Sequence, residues 1–119
     1  MAILFEAVEM IETLDKTRAE AVKEKEAAQK ELEKMFATYL YCLFNGIAPI
    51  RDVYAQMIKE HNEGIRVFLD FQVETFEKSS SLLKNLIVNK ASDEELKHGL
   101  DEVERNLAEL NEKAKAYLE

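Results

Sequence analysis

The two histidines and the single cysteine are the side chains in this chain best suited to metal binding or nucleophilic chemistry. Glu95 and His98 form a Glu-x-x-His pair, the spacing with which di-iron helical bundles hold a metal. Such bundles use two of these pairs and two further glutamates. The other histidine, His61, has Ile58 instead of a glutamate three residues before it, so the second pair is missing. We therefore expect no metal site and no cofactor, and we expect His98 to be a surface residue near the start of a helix.

Three polar side chains, His61, Gln72 and Ser79, share the apolar face of one helical segment. They indicate either a polar site inside a bundle or core residues that have partners and fix helix register, as a buried asparagine does in coiled coils. Cys42 lies in an apolar stretch, which is typical of an inert buried thiol. No arrangement of serine, histidine and acid is recognisable, and the three glycines stand apart rather than in a phosphate-binding loop. The sequence predicts a protein that is not an enzyme.

The formal net charge is −8, and the acidity is concentrated in the two outer segments. Residues 1–44 carry six basic and nine acidic groups, residues 45–90 carry six of each, and residues 91–119 carry four basic and nine acidic groups. Nucleic-acid binding requires a basic stripe that neutralises phosphates, and none occurs. We expect no nucleic-acid partner, and an acidic face could instead meet a basic protein.

Helical periodicity dominates the chain, which has only three glycines and one proline to form turns. We predict an all-α fold in a single domain, residues 1–119, with helices at about 3–44, 49–88 and 93–118. Asn45 and Gly46 followed by Pro49 indicate a tight helix–helix turn. Ser92 and Glu95 match a capping box that starts the third helix.

The segment 65–76 is apolar on more than one face, which predicts a central helix with a neighbour on each flank. Phe68 and Phe71 lie on different faces, and we expect both to be buried. Gly64 allows a bend in this long helix or leaves it continuous. The third helix shows a narrow 4-3 apolar seam of the coiled-coil type, at Leu96, Leu100, Val103, Leu107, Leu110, Ala114 and Tyr117.

Helix lengths predict an elongated antiparallel three-helix bundle, coiled-coil-like, from which one helical hairpin protrudes. At 1.5 Å per residue the first two helices span roughly 60 Å each and the third roughly 40 Å. Antiparallel pairing places Leu32 near Asn62 and Tyr117 near Gly64, so the third helix ends where the first hairpin continues. Residues 35–50 contain no charge. We predict an interface at Met35, Phe36, Tyr39, Leu40, Leu43, Phe44, Ile47, Ile50, Val53, Tyr54 and Met57.

This hairpin leads to the functional expectation of a helical protein–protein interaction module. Monomeric proteins seldom expose large apolar patches, so we expect the hairpin to form a homodimer or higher oligomer, and the acidic helices or remaining grooves to bind a protein partner. The alternative is a peripheral protein that inserts the same hairpin into a membrane or granule surface. Such anchors usually carry flanking basic residues, and here Lys34 and Arg51 flank the hairpin, with Asp52 offsetting one of them. A lone cysteine and the absence of a signal-peptide pattern predict a cytoplasmic location.

Overall fold

The computed structural model describes residues 2–118, with the side chains of residues 2–116. Its four α-helices are α1 (Ala2–Phe44), α2 (Ala48–Glu60), α3 (Arg66–Val88) and α4 (Asp93–Leu118). A five-residue π turn, His61–Ile65, joins α2 to α3 and keeps right-handed helical backbone angles on both sides. No strand occurs between residues 2 and 118, and the prediction of an all-α fold with breaks after residues 44 and 88 is confirmed.

The turn after α1 has the geometry of a Schellman motif. Gly46 has φ +68°, a left-handed conformation that glycine adopts without a steric penalty. The N–H of Ile47 donates to the carbonyl of Cys42 over 2.9 Å, the long hydrogen bond of that motif. Pro49 lies in the first turn of α2, where its missing N–H breaks no helical hydrogen bond. The turn predicted from Asn45 to Pro49 is therefore confirmed.

The second turn repeats this geometry without a glycine. The N–H of Ala91 donates to the carbonyl of Leu86 over 2.9 Å, and Lys90 occupies the left-handed position with φ 54°. The helix start that follows matches its prediction, because the N–H of Glu95 donates to the Ser92 hydroxyl over 3.2 Å. The two turns thus share the long hydrogen bond of the Schellman motif, but only the first has glycine at the left-handed position.

The helix α3 lies between α1 and α4 and contacts both, as predicted for a central helix. Its contacts with α1 include Lys84 to Asp15 at 3.0 Å and Asp70 to Lys25 at 2.7 Å. Its contacts with α4 include Ser79 to Asn106 at 3.5 Å and Lys113 above the Phe71 ring at 3.6 Å. In both pairs, higher residue numbers on one helix meet lower numbers on the other, so α3 runs opposite to each neighbour.

Buried apolar side chains lie at multiples of seven residues along α1, α3 and α4, whereas α2 has none. They are Ala7, Leu14, Ala21 and Cys42 in α1, Leu69, Phe76 and Leu83 in α3, and Leu96, Val103 and Leu110 in α4. A seven-residue spacing keeps a narrow seam facing the neighbouring helix over a long distance. The core is therefore a thin strip that follows the long axis.

The π turn shifts this seven-residue pattern by one position. On its carboxyl-terminal side the inward residues are Leu69, Phe76 and Leu83, and on its amino-terminal side they are His61, Tyr54 and Ile47. His61 and Leu69 are eight residues apart, so the chain contains one residue more than the repeat. The Arg66 N–H donates to the His61 carbonyl, five positions back, and this wider turn accommodates the additional residue. The helix is thus continuous at Gly64, where the sequence allowed either a bend or continuity.

The prediction that Phe68 and Phe71 are both buried is wrong. Each is partly buried against the core, and the neighbouring Val67 is exposed. Two neighbouring helices cover only part of the circumference of a third, so an outer face of α3 stays open to water. Lys113 partly covers Phe71 through a cation–π contact.

The molecule is a rod with extents of 67 × 23 × 16 Å. Its radius of gyration is 19.8 Å, whereas a compact domain of this length has about 13.5 Å. Leu32 and Asn62 line one groove, in agreement with the predicted hairpin register. The expected position of Tyr117 beside Gly64 lies outside the described side chains.

Candidate interaction surface

The tip, defined as residues 35–58, is the end of the rod formed by the last turns of α1, the first turn region and most of α2. None of the eleven predicted interface side chains is buried. Those that are exposed are Phe36, Leu43, Phe44, Ile50, Val53 and Met57. Those that are intermediate are Met35, Tyr39, Leu40, Ile47 and Tyr54. The structure therefore brings all eleven together at one end of the molecule and covers none of them fully.

One further tip residue, Tyr41, is also exposed, and Cys42 is the buried member of the same turn. Tyr41 was recognisable from the sequence as part of the uncharged run 35–50, although α1 places it away from the seam that Cys42 occupies. The rings of Phe36 and Tyr39 are 6.1 Å apart and tilted by 33°. This separation lies within the range of interacting aromatic pairs.

The exposed apolar area of the tip approaches that of a standard interface. Seven large side chains here, the six exposed ones above and Tyr41, are each between 41% and 80% exposed. With side-chain areas typical of such residues, this corresponds to roughly 700 Å² of apolar surface. A standard protein–protein interface buries roughly 800 Å² per partner, whereas the largest patch on a typical monomer is about 300–600 Å².

Charge at the margin of the tip is largely compensated. Arg51 pairs with the adjacent Asp52 at 3.2 Å, and Lys34 is exposed on the other helix. The tip thus has an uncharged centre and a sparsely charged rim, the distribution that protein interfaces favour. Its flanking basic residues are Lys34, Arg51 and the exposed Lys59, and Arg51 is paired, so the flank is less basic than that of a typical membrane anchor.

A groove of about 340 Å³ lies where the tip meets the body of the rod. Its lining comes from α1, α2 and the π turn, namely Gln29, Leu32, Glu33, Phe36, Ile58 and Asn62. The Asn62 Oδ1 atom is buried and accepts no hydrogen bond from a described residue. The groove is mainly apolar and continues the exposed surface of Phe36 toward the body of the rod.

The candidate metal and catalytic residues do not converge. His98 is exposed on α4, as expected, and lines a shallow groove beside Asp101 and Glu102. Within residues 2–116, no three histidine, cysteine or acidic side chains come close enough to hold a metal ion. His61 is buried in the π turn, and neither ring nitrogen has a hydrogen-bond partner among the described residues.

The polar residues predicted inside the bundle have different environments. Ser79 is fully buried and accepts a long hydrogen bond of 3.5 Å from Asn106 of α4. Gln72 is only partly buried, although its Oε1 atom is inaccessible and has no partner in the described part of the chain. Together with His61, these residues are spread along α3 and the π turn, so they form no common pocket.

A separate polar junction joins α1 to α3. The buried Ser80 hydroxyl donates to the Asp15 Oδ1 atom over 2.7 Å, and Lys84 pairs with the other carboxylate oxygen at 3.0 Å. The Ser80 hydrogen bond, followed by that of Lys84, lowers the pKa of the Asp15 carboxyl below its usual value. This junction fixes the register of α1 against α3, and it gives the buried Ser80 hydroxyl a hydrogen-bond partner.

No family model, curated protein or solved structure matches the chain. In the described range, no helix combines the length and the apolar character that a membrane crossing requires.

Proposed function

We propose that this protein is a non-enzymatic helical interaction module that self-associates through its tip and binds a protein partner elsewhere on the rod. The observation that carries the proposal is the complete lack of buried side chains among the eleven apolar residues of the predicted interface. Exposing this apolar area to water is unfavourable by roughly 25 cal/mol per Å², and a second copy of the hairpin would cover it.

A two-fold dimer is the simplest assembly consistent with this surface. Symmetric dimers are the commonest oligomers, and two hairpins packed together form a local four-helix bundle. Exposed aromatic side chains such as Phe36, Tyr41 and Phe44 are of the type that interfaces favour. A cytoplasmic site of action is part of the proposal, because the single cysteine suits a reducing compartment.

The test compares solution mass across variants of the tip. Tyr39→Glu with Leu43→Glu places charge in the centre of the proposed interface. Because Tyr39 is partly buried in the protomer, a second variant, Phe44→Glu with Val53→Glu, alters only exposed positions. Light scattering at several concentrations should give twice the chain mass of 13.7 kDa for the wild type and the single mass for both variants.

The matched control is Val67→Glu with Val88→Glu, which adds the same charge at exposed valines outside the tip. This variant should stay dimeric, and all variants should retain the helical circular dichroism of the wild type. Loss of the dimer in the control would mean that net charge, not the tip, governs association. A wild type that stays monomeric and floats with neutral or anionic vesicles would contradict the proposal in favour of insertion into lipid.

A further inference from the structure

An amphipathic groove lies between α1 and α4 in the body of the rod, away from the tip. Each of these two helices packs mainly against α3. Among the three long helices, α1 and α4 have the smallest mutual contact, which leaves a groove between them. The groove has a volume of about 460 Å³. It is lined by Ile3, Glu6, Glu9, Met10 and Thr13 of α1 and by Lys97, Leu100, Asp101 and Glu104 of α4.

The floor and the rim of this groove differ in chemistry. Ile3, Met10 and Leu100 are half-buried and supply an apolar floor. The rim carries four exposed carboxylates, two from each helix, opposed by the single ammonium group of Lys97. No described residue forms an ion pair with any of these four carboxylates, whereas Asp15 and Asp70 elsewhere in the rod are paired with lysines. The rim therefore has an uncompensated negative charge directly beside apolar surface.

The length of the groove matches a short helix. Residues 3 to 13 of α1 extend along about 15 Å, which corresponds to about three helical turns. A helix placed between α1 and α4 would bury its apolar face against Ile3, Met10 and Leu100 and would complete a four-helix arrangement. This is the helix-in-groove mode, in which apolar anchors recur at helical spacing.

We propose that the α1–α4 groove binds a basic amphipathic helix of another protein. Lysine or arginine residues that flank the apolar face of such a helix would meet the four carboxylates, and this charge complementarity selects the occupant. A second copy of this chain does not fit the same description, because none of its three segments is net basic. The inference rests on the partner-binding part of the proposed function and is independent of the tip dimer.

The probe for this site is a fluorescent synthetic helix of about 18 residues with leucines at helical spacing and lysines on both flanks. Fluorescence anisotropy with the wild-type protein should show saturable binding that weakens as salt is added, because exposed charges are screened. A peptide with the same leucines and glutamates in place of lysines should bind at least about tenfold more weakly.

The groove variant is Glu6→Lys with Asp101→Lys, and the matched control is Glu12→Lys with Glu102→Lys. Both change the net charge equally and take one acid from each helix, but the control residues lie outside the groove. The groove variant should weaken binding of the basic peptide by about tenfold, and the control should have little effect. Equal losses in both variants, equal binding of the two peptides, or no binding of the basic peptide would each overturn the inference.

The same titration with the Phe44→Glu, Val53→Glu variant separates this inference from the tip dimer. Unchanged peptide affinity in that variant supports two independent surfaces. If peptide binding disappears together with the dimer, the groove is not an independent site and the inference fails. A dimeric wild type that ignores the peptide would overturn the groove proposal and leave self-association through the tip standing.

Discussion

Lys90 provides the sharpest test of the fold, because its backbone lies in the left-handed region, which lysine does not favour. Among the described residues it is the only non-glycine with a positive φ, and it occupies the position that Gly46 fills in the other turn. A left-handed conformation costs an L-residue about 1–2 kcal/mol. Substitution of Lys90 by glycine removes this cost but adds freedom to the unfolded chain, which offsets about 0.4–1 kcal/mol.

The net expectation for Lys90→Gly is a gain of about 0.5–1 kcal/mol in the free energy of unfolding, or about 3 °C in Tm. Lys90 is exposed, so the substitution removes little packing. The measurement is urea and thermal unfolding followed by circular dichroism. It is best made in the Phe44→Glu, Val53→Glu variant, because self-association would make the apparent stability depend on concentration.

Two control substitutions isolate the backbone effect. Lys90→Ala removes the same side chain but keeps the strained conformation, so it should bring no gain. Gly46→Ala introduces the strain at the first turn, and because a Cβ there meets no atom within 4 Å, its cost of about 1 kcal/mol reports on the backbone alone. If Lys90→Ala stabilises the protein as much as Lys90→Gly, the effect arises from charge and the argument from φ is refuted.

Two further predictions concern other local features. Ser92→Ala should lower the free energy of unfolding by about 1 kcal/mol, because it removes the cap of α4. The control Ser81→Ala, at an exposed position within α3, should not destabilise the protein. Equal effects of the two substitutions in urea titrations would argue against the cap. Because the pKa of Asp15 is lowered in the folded protein, its stabilising contribution is present above the unfolded pKa of about 3.9 and is lost as pH falls through the folded pKa. The stability difference between the wild type and Asp15→Asn should therefore shrink below about pH 4, and a difference that stays constant with pH would mean that the Ser80 hydrogen bond is insensitive to the charge of its acceptor.

The helix boundaries were predictable because they depend on local chemistry. Gly46, Pro49 and Ser92 each favour one backbone state through sterics or a short-range hydrogen bond, and each lies where the sequence indicated. Lys90 was expected in the second turn, but its left-handed conformation was not predictable in this way, since lysine has no preference for that region. The chain adopts that conformation because packing of α3 against α4 fixes the direction of the turn.

The collection of apolar residues at the tip was predictable from helix length, whereas the degree of their exposure required the structure. Sequence reasoning overestimated burial at Phe68 and Phe71 because periodicity identifies a face but not how far a neighbouring helix covers it. The groove between α1 and α4 was not predicted from the sequence. Its lining combines residues some ninety positions apart, and only the splay of two helices on α3 brings them together.

The additional residue in the π turn determines which face of α2 lies inward and which face is exposed at the tip. One residue of an α-helix corresponds to a rotation of about 100°, so without the wider turn Ala55 and Asn62 would replace Tyr54 and His61 on the inward face. Deletion of one residue between His61 and Ile65 would restore the seven-residue spacing, so we expect an uninterrupted α-helix that presents the same tip surface. Insertion of a further residue would instead turn a different face of α2 toward α1 and change the residues exposed at the tip.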